Sequence, residues 1–208
     1  LFSTDEVYGR NSASTWNEES ILIPTNPYSA SKAASEMIAQ AYYCSYNIPL
    51  IVTRCCNVFG PKQYPEKLIA KFICQAMHGL PWTIHGDGEH KRQYIYVTDV
   101  TSAILKIVEN GVIGDCYNIA SKYERTVKDV VAFLGEHGHD EHPVAHVKDR
   151  LFNDTRYSMC DDKLQMLGWS QAISFDEGME KTMEWYNKHD ATEWWRMSEE
   201  SLLEMLQD

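Results

Sequence analysis

Residues 26–61, NPYSASKAASEMIAQAYYCSYNIPLIVTRCCNVFGP, decide the fold class. Thr25-Asn26-Pro27 signals a helix start, with proline in the first turn, where its missing N–H costs nothing. From Tyr28 to about Tyr46 the apolar Ala30, Ala33, Ala34, Met37, Ile38 and Ala41 recur at helical spacing, and the small residues suit close packing on a neighbour. Next, PLIVTRCCNVFGP (49–61) is a continuous apolar run of strand length closed by Gly60-Pro61, which fits one buried parallel strand.

The opening LFSTDEVYG (1–9) supplies the strand before that helix. Leu1 and Phe2 read as the tail of an apolar strand, Thr4 to Glu6 as the point where it meets solvent or a ligand, and Gly9 as the turn that ends it. Strand, helix, strand is the α/β signature. Beyond Pro61 the alternation continues, with helices predicted near Glu66–His78, Asp99–Asn110, Thr126–Gly135, Asp161–Leu167 and Phe175–His189, and strands at WTIHG, QYIYV, CYNIA and VAHVK. The closing EWWRMSEESLLEMLQD (193–208) is acidic and amphipathic, with Leu202, Leu203 and Leu206 on one face, and reads as a capping helix or a frayed tail.

The 208 residues carry 44% hydrophobic and 24% charged side chains, ordinary for a soluble globular chain of one large domain or two small ones. A net charge of −11 with no basic run argues against a nucleic-acid surface. No apolar stretch approaches the roughly 20 residues that span a bilayer, and no charged-then-apolar leader is seen, although a truncated start would hide one, so a cytoplasmic protein without a membrane partner is expected. Cys44, Cys55, Cys56, Cys74, Cys116 and Cys160 show no metal-type spacing, and Cys55-Cys56 in its apolar run reads as small core residues. EHGHDEHPVAH (136–146), with His137, His139, His142 and His146, invites zinc, but its polar spacing with Gly138 and Pro143 reads as a solvated connector. No metal is expected.

Tyr28 and Lys32 stand at i and i+4, so a helix points both to one side. A phenol with an ordinary pKa near ~10 is a poor base at neutral pH, and a neighbouring ammonium stabilises its phenolate. Such a pair alone is weak evidence. The order of motifs around it is not: STDEVYG, NPYSASK, RCCNVFGP, PEK, HGDGEHKRQYIYVTD, YNI and DRLFNDTRY. Over residues 1 to about 189 the chain closely resembles the extended short-chain dehydrogenase/reductases, and among them the nucleoside-diphosphate-glucose 4,6-dehydratases of the dTDP-glucose and UDP-glucose types, which serve rhamnose biosynthesis.

That resemblance implies the remainder of a Rossmann-type parallel sheet plus a smaller α/β substrate-binding domain. Residues 1–60 would be the C-terminal part of the NAD-binding domain, 61–189 mainly the sugar-nucleotide domain with segments near 93–121 returning to the Rossmann sheet, and 190–208 an acidic tail or helix. It also implies a glycine-rich dinucleotide loop upstream. Gly86 and Gly88, the only close pair here, lie between two predicted strands instead, so the chain is expected to be the later part of a longer enzyme, inactive alone and a homodimer at full length.

Carried over residue by residue, the resemblance makes Tyr28 the base at the sugar 4-hydroxyl, Lys32 its tuning ammonium, and Thr4 a hydrogen-bond partner of the same oxygen. Glu6 would take the C5 proton and Asp5, protonated, would donate to the departing 6-hydroxyl. Ser3, Tyr28, Lys32 and Asn57 would face NAD. Arg92 and Arg150 would meet the diphosphate, Asn57, Asn118 and Lys67 would add polar contacts to the sugar nucleotide, and His85 and Asn153 would lie near the base or ribose. Departures from the usual pattern are Phe59 for tyrosine, Ala70 for proline and Leu151 for the proline of DRP. Adjacent carboxylates with opposite duties need different environments. Read without Tyr28 and Lys32, they would be a solvated strand end. The Thr-Asp-Glu triplet favours dehydration over the 4-epimerases and UDP-glucuronate decarboxylases of the family, and a non-catalytic sugar-nucleotide-binding relic is the alternative from another class.

Overall fold

The computed structural model describes residues 1–10, 14–139, 141–149 and 154–207. In chain order the elements are β1 (Phe2–Thr4), a 3-10 turn (Asp5–Tyr8), α1 (Pro27–Tyr46), β2 (Val52–Cys55), β3 (Asn57–Phe59), α2 (Leu68–Met77), β4 (Trp82–His85) and β5 (Lys91–Tyr96). They continue as α3 (Val97–Asn110), β6 (Cys116–Ile119), β7 (Glu124–Thr126), α4 (Val127–Leu134), β8 (Val144–Val147), α5 (Asp162–Met166), α6 (Phe175–Lys188), α7 (Ala191–Trp195) and α8 (Glu199–Gln207).

Two compact units divide the chain, and the first comprises Leu1–Val58, Lys91–Glu124 and Asp154–Ile173. Its sheet has the order β1-β2-β6 with both pairings parallel, in register Thr4↔Cys55 and Cys55↔Ile119. All four residues of β2 are buried, as expected of a parallel strand covered on both faces. Val7, Cys55, Cys56, Ile95, Ala103, Ile107, Tyr117 and Ile119 pack into one core around it.

Residues 49–61 do not form the single strand that their apolar run predicts. The chain breaks at Cys56, whose N–H still donates to Ile119 O at 3.1 Å, and Asn57 begins β3 in a second sheet ordered β3-β5-β7. Hydropathy could not show this, because the run is largely apolar on both sides of the break. Gly9 ends the opening turn at φ 79°, and a Cβ there would lie 2.0 Å from Ile23 O, so only glycine admits the segment that returns over it.

α1 begins where Thr25-Asn26-Pro27 predicts. Asn26 is the N-cap, its side chain accepts from Ser29 N, and the Ser29 side chain answers the Asn26 N–H in a reciprocal cap. The helix ends at Asn47 in the left-handed conformation, φ 52°. Glu36 on α1 meets Arg54 of β2 in a buried fork, with Nη2–Oε2 at 2.7 Å and Nε at 3.2 and 3.1 Å from the two carboxylate oxygens. Arg54 Nη1 also donates to Tyr8 Oη at 2.8 Å.

The second unit comprises Phe59–His90, Arg125–Asn153 and Ser174–Asp208. β4 and β8 pair in parallel, Phe59 and Phe175 meet at 5.5 Å, and Trp82 Nε1 donates to Phe72 O. The VAH end of the histidine-rich segment is thus strand β8 rather than connector; His142 reaches Leu80 O and His146 reaches Gly86 O. The acidic C-terminal stretch docks as α8, with Leu202 and Leu206 fully buried and Leu206 O accepting from Gln75 Nε2 at 2.7 Å.

Removing one partner of a buried ion pair strands the other charge, at a cost of about 3–5 kcal/mol. Glu36→Ala is therefore expected to destabilise the protein by that order in urea unfolding, and a Glu36→Leu, Arg54→Met double replacement to recover most of the loss. Equal losses in the single and double variants would show that the charge itself is not the cause.

Candidate active site

β1 and β2 run parallel and deliver their C-terminal ends to one edge of the sheet, the edge at which open α/β sheets bind ligands. Ser3 and Thr4 close β1, Asp5 and Glu6 open the turn beyond it, and Asn57, half-buried, follows β2 after Cys56. Thr4 Oγ1 accepts from Glu6 N at 3.3 Å and donates to Asp5 Oδ1 at 3.2 Å.

The adjacent carboxylates diverge. Asp5 is only 4% exposed, whereas the sequence pattern would put it at solvent. Burial pushes its carboxyl up to about 7, with the Glu6 charge adding and Arg92 and the Thr4 hydroxyl opposing. Among the described residues its Oδ2 is buried without a hydrogen-bond partner, as is Ser3 Oγ. Glu6 is half-exposed and accepts from Asn26 Nδ2 at 3.1 Å. A proton resident on Asp5 near neutral pH beside an accessible second carboxylate is an acid and base pair in the making.

α1 brings its first turn to the same edge. Tyr28 is 54% exposed, and Lys32 Nζ donates to the carbonyl of Phe2 at 2.8 Å, tying the ammonium to β1. Arg92, on β5, lies over the Tyr157 ring at 4.6 Å, and its charge is felt at Asp5. Beneath it Asp154 is buried and accepts from Thr25 Oγ1 at 2.6 Å, from Arg10 Nε at 3.2 Å and from Tyr157 Oη. Burial pushes the Asp154 carboxyl up, but these donors outweigh it and hold the group below the usual range.

Thr4, Asp5, Glu6, Ser3, Tyr28, Lys32, Asn57 and Arg92 thus belong to one unit. Asn118, expected at the sugar nucleotide, lies in the same unit but inside the core: it is 0% exposed, its Oδ1 accepts from Tyr8 Oη at 2.7 Å and its Nδ2 donates to Cys160 O at 3.1 Å. Lys67 and His85 lie in the second unit, Lys67 exposed and paired with Glu66 at 2.8 Å, His85 half-buried at the end of β4. Arg150 and Asn153 lie outside the described residues. Asn26, Asp154 and Tyr157 escaped sequence reading as site residues. Asn26 carried a helix-start signal and Asp154 and Tyr157 sit in DRLFNDTRY, but the tertiary contacts of Asn26 and Asp154 span 20, 129 and 144 residues.

The profile of the GDP-mannose 4,6 dehydratase family matches residues 1–182. The trifunctional UDP-glucose 4,6-dehydratase/UDP-4-keto-6-deoxy-D-glucose 3,5-epimerase/UDP-4-keto-L-rhamnose-reductase of Arabidopsis thaliana is 48% identical over 198 residues, covering 93% of this chain and 29% of that protein. The dTDP-D-glucose 4,6-dehydratase of Mus musculus is 40% identical over 207 residues, 96% of this chain and 58% of that one. Among solved structures, dTDP-glucose 4,6-dehydratase from Streptomyces venezuelae with NAD and TYD bound superposes with a TM-score of 0.88 at 36% identity, covering 93% of this chain and 60% of that one. The chain therefore spans between 29% and 60% of the length of these relatives.

The environment of Asp5 makes a pH prediction. Its folded pKa of about 7 stands above an unfolded value near ~3.9, so between these the folded chain holds a proton that the unfolded chain has lost. Stability from this group is full below about pH 4, falls by up to ~1.4 kcal/mol per unit as pH rises, and levels off above about pH 7. Asp5→Asn should abolish that slope, read as urea midpoints against pH; a slope that survives the substitution assigns it elsewhere.

Proposed function

The chain belongs to the GDP-mannose 4,6 dehydratase family, and on that premise we propose that it carries the acid–base machinery of an NAD-dependent nucleotide-sugar 4,6-dehydratase. Its substrate in this reading is a nucleoside-diphosphate glucose and its product the 4-keto-6-deoxy sugar. The observation that carries the proposal is the pair Asp5 and Glu6, adjacent in sequence, with Asp5 buried and pushed up to about 7 and Glu6 half-exposed, in the same unit as Tyr28 and Lys32.

Ser3 Oγ, buried without a partner among the described residues, and Lys32 Nζ, held at the carbonyl of Phe2, fit the nicotinamide-ribose end of NAD, with Tyr28 and Asn57 beside them in this assignment. Bound there, the cofactor supplies the oxidation at C4 and the later reduction at C6. The chain's own residues move the protons. Tyr28 takes the proton of the 4-hydroxyl, with Lys32 favouring the phenolate and Thr4 hydrogen-bonding the same oxygen. Once C4 is a ketone, the C5 hydrogen is acidic, and Glu6 removes it while Asp5 protonates the C6 hydroxyl, which leaves as water. Glu6 returns its proton to C5 as C6 is reduced, and the proton on Tyr28 is exchanged through solvent for the one Asp5 gave up. The sum is loss of one water.

Arg92 and Arg150 are assigned to the diphosphate, Lys67 to a polar contact with the sugar nucleotide, and His85 and Asn153 to the base or ribose. We favour UDP-glucose, because the FND of DRLFND suits the UDP-glucose branch and the Arabidopsis relative, at 48% identity, carries that substrate in its name. A 4-epimerase or decarboxylase needs no acid at C6, and the protonated Asp5 argues for dehydration. The reading extends to a cytoplasmic homodimer of the full-length protein. Among the described residues no helix is long and apolar enough to cross a membrane, and Met37, Ile38 and Tyr42 are exposed on α1.

In the full-length protein, Glu6→Gln should still oxidise the sugar at C4, seen by trapping the ketone with borodeuteride, but lose solvent-deuterium exchange at C5 and release of water. Tyr28→Phe should stop earlier, with no ketone trapped. An unchanged yield of 4-keto-6-deoxy sugar from Glu6→Gln removes Glu6 from the mechanism. Arg92→Ala deletes a charge-assisted donor worth roughly ~1.5–3 kcal/mol, so KM for the sugar nucleotide should rise about ten- to a hundredfold. A rise in the dissociation constant for NAD instead, with KM for the sugar unmoved, places Arg92 on the other ligand.

A further inference from the structure

We propose that Asn26 is a positioning residue that locks Glu6 to the helix carrying Tyr28 and Lys32; the inference rests on the dehydratase reading. The orientation of its carboxamide is dictated. Oδ1 accepts the Ser29 N–H at 2.8 Å, so the amino group must face away from the helix, and there it donates to Glu6 Oε2 at 3.1 Å. Ser29 is itself pinned: wholly buried, its hydroxyl accepts from the backbone N–H of Asn26 at 3.1 Å and of Thr25 at 3.2 Å, and donates to Asn26 O at 3.0 Å. The other end is fixed too, since Thr4 Oγ1 holds the Glu6 N–H.

An N-cap alone does not require asparagine. Serine or aspartate caps as well, each offering an oxygen acceptor. Only the amide combines that acceptor with a donor for a neighbouring carboxylate. One side chain therefore sets the base assigned to C5 against the helix that carries the base assigned to C4, two adjacent carbons of one sugar. The charged and titratable groups around Glu6 are Asp5 on the same turn, Tyr157 from the segment after Asp154, and Arg92 on β5, whose charge reaches both Asp5 and Tyr157.

The test uses the full-length protein with Asn26→Ser and Asn26→Asp, both of which retain a capping oxygen, and measures C4 oxidation by borodeuteride trapping, C5 exchange with solvent deuterium, and the pH profile of that exchange. In Asn26→Ser, C4 oxidation should persist while C5 exchange falls about ten- to a hundredfold. In Asn26→Asp a second carboxylate faces Glu6, so the acidic limb of the exchange profile should move to higher pH. Wild-type exchange in Asn26→Ser, or an unmoved profile in Asn26→Asp, overturns the proposal. Parallel loss of C4 oxidation, C5 exchange and the circular-dichroism melt in both variants assigns Asn26 to the cap alone and also overturns it. If the wild-type protein forms no 4-keto-6-deoxy sugar, the dehydratase reading itself falls, an outcome separate from the failure of Asn26 in an active enzyme.

Discussion

Everything at the candidate site hangs on the guanidinium of Arg54. It sits in the middle of the central strand β2, forks onto Glu36 of α1, and donates to Tyr8, whose hydroxyl passes the connection to Asn118 on β6. Helix, turn and third strand are thus tied to one buried charge. Besides it, α1 is tied to β1 and its turn by Lys32 at the Phe2 carbonyl and by Asn26 at Glu6, both near the start of the helix; a planar fork on a carboxylate further along fixes register as well as distance. That register decides where the first turn of α1, with Tyr28 and Lys32, comes to rest beside the end of β1. Burial works against this charge, but the bonds to Glu36 and Tyr8 outweigh it and hold the guanidinium protonated.

The two carboxylates after β1 show how one backbone turn makes two chemistries. Asp5 points inward, where desolvation favours the neutral acid and only the Thr4 hydroxyl meets it; Glu6, one residue on, faces an amide donor and partial solvent. A side chain's direction in a short 3-10 turn changes by about a third of a revolution per residue, which is enough to separate neighbours into different media. The Glu6 charge then raises its neighbour further.

Where local chemistry decides, the sequence was readable. The span of α1 followed from Asn26-Pro27 and the alanine spacing, and β1, β2 and β6 from apolar runs bounded by turn residues. The break at Cys56 was hidden because the run stays largely apolar through it, although its two halves lie in different sheets. Asn118 was partly legible for a related reason: the motif around it identifies a strand, but the bond from Tyr8 that its amide accepts comes from more than a hundred positions away. Resemblance named Asp5 and Glu6; neither resemblance nor pattern disclosed that Asp5 is the buried one. Asn26 signalled a cap but not its second bond, since a cap is local and the contact to Glu6 is tertiary.

Asp154 supplies the comparison that tells a structural buried aspartate from a reactive one. Both it and Asp5 are nearly inaccessible, and burial pushes both carboxyls up. Asp154 receives donors from Arg10, Thr25 and Tyr157, so its charge is fully answered and its carboxyl ends below the usual range. Asp5 has one hydroxyl on one oxygen and nothing among the described residues on the other. A saturated carboxylate has no reason to exchange its proton and serves as a fastener, here joining the segment before α1 to the ring beneath Arg92. An unsaturated one keeps a proton near neutrality, and on the oxygen without a partner that proton is open to a hydrogen-bond acceptor. The difference lies in the count of donors, not in depth of burial, which is why burial alone identifies neither.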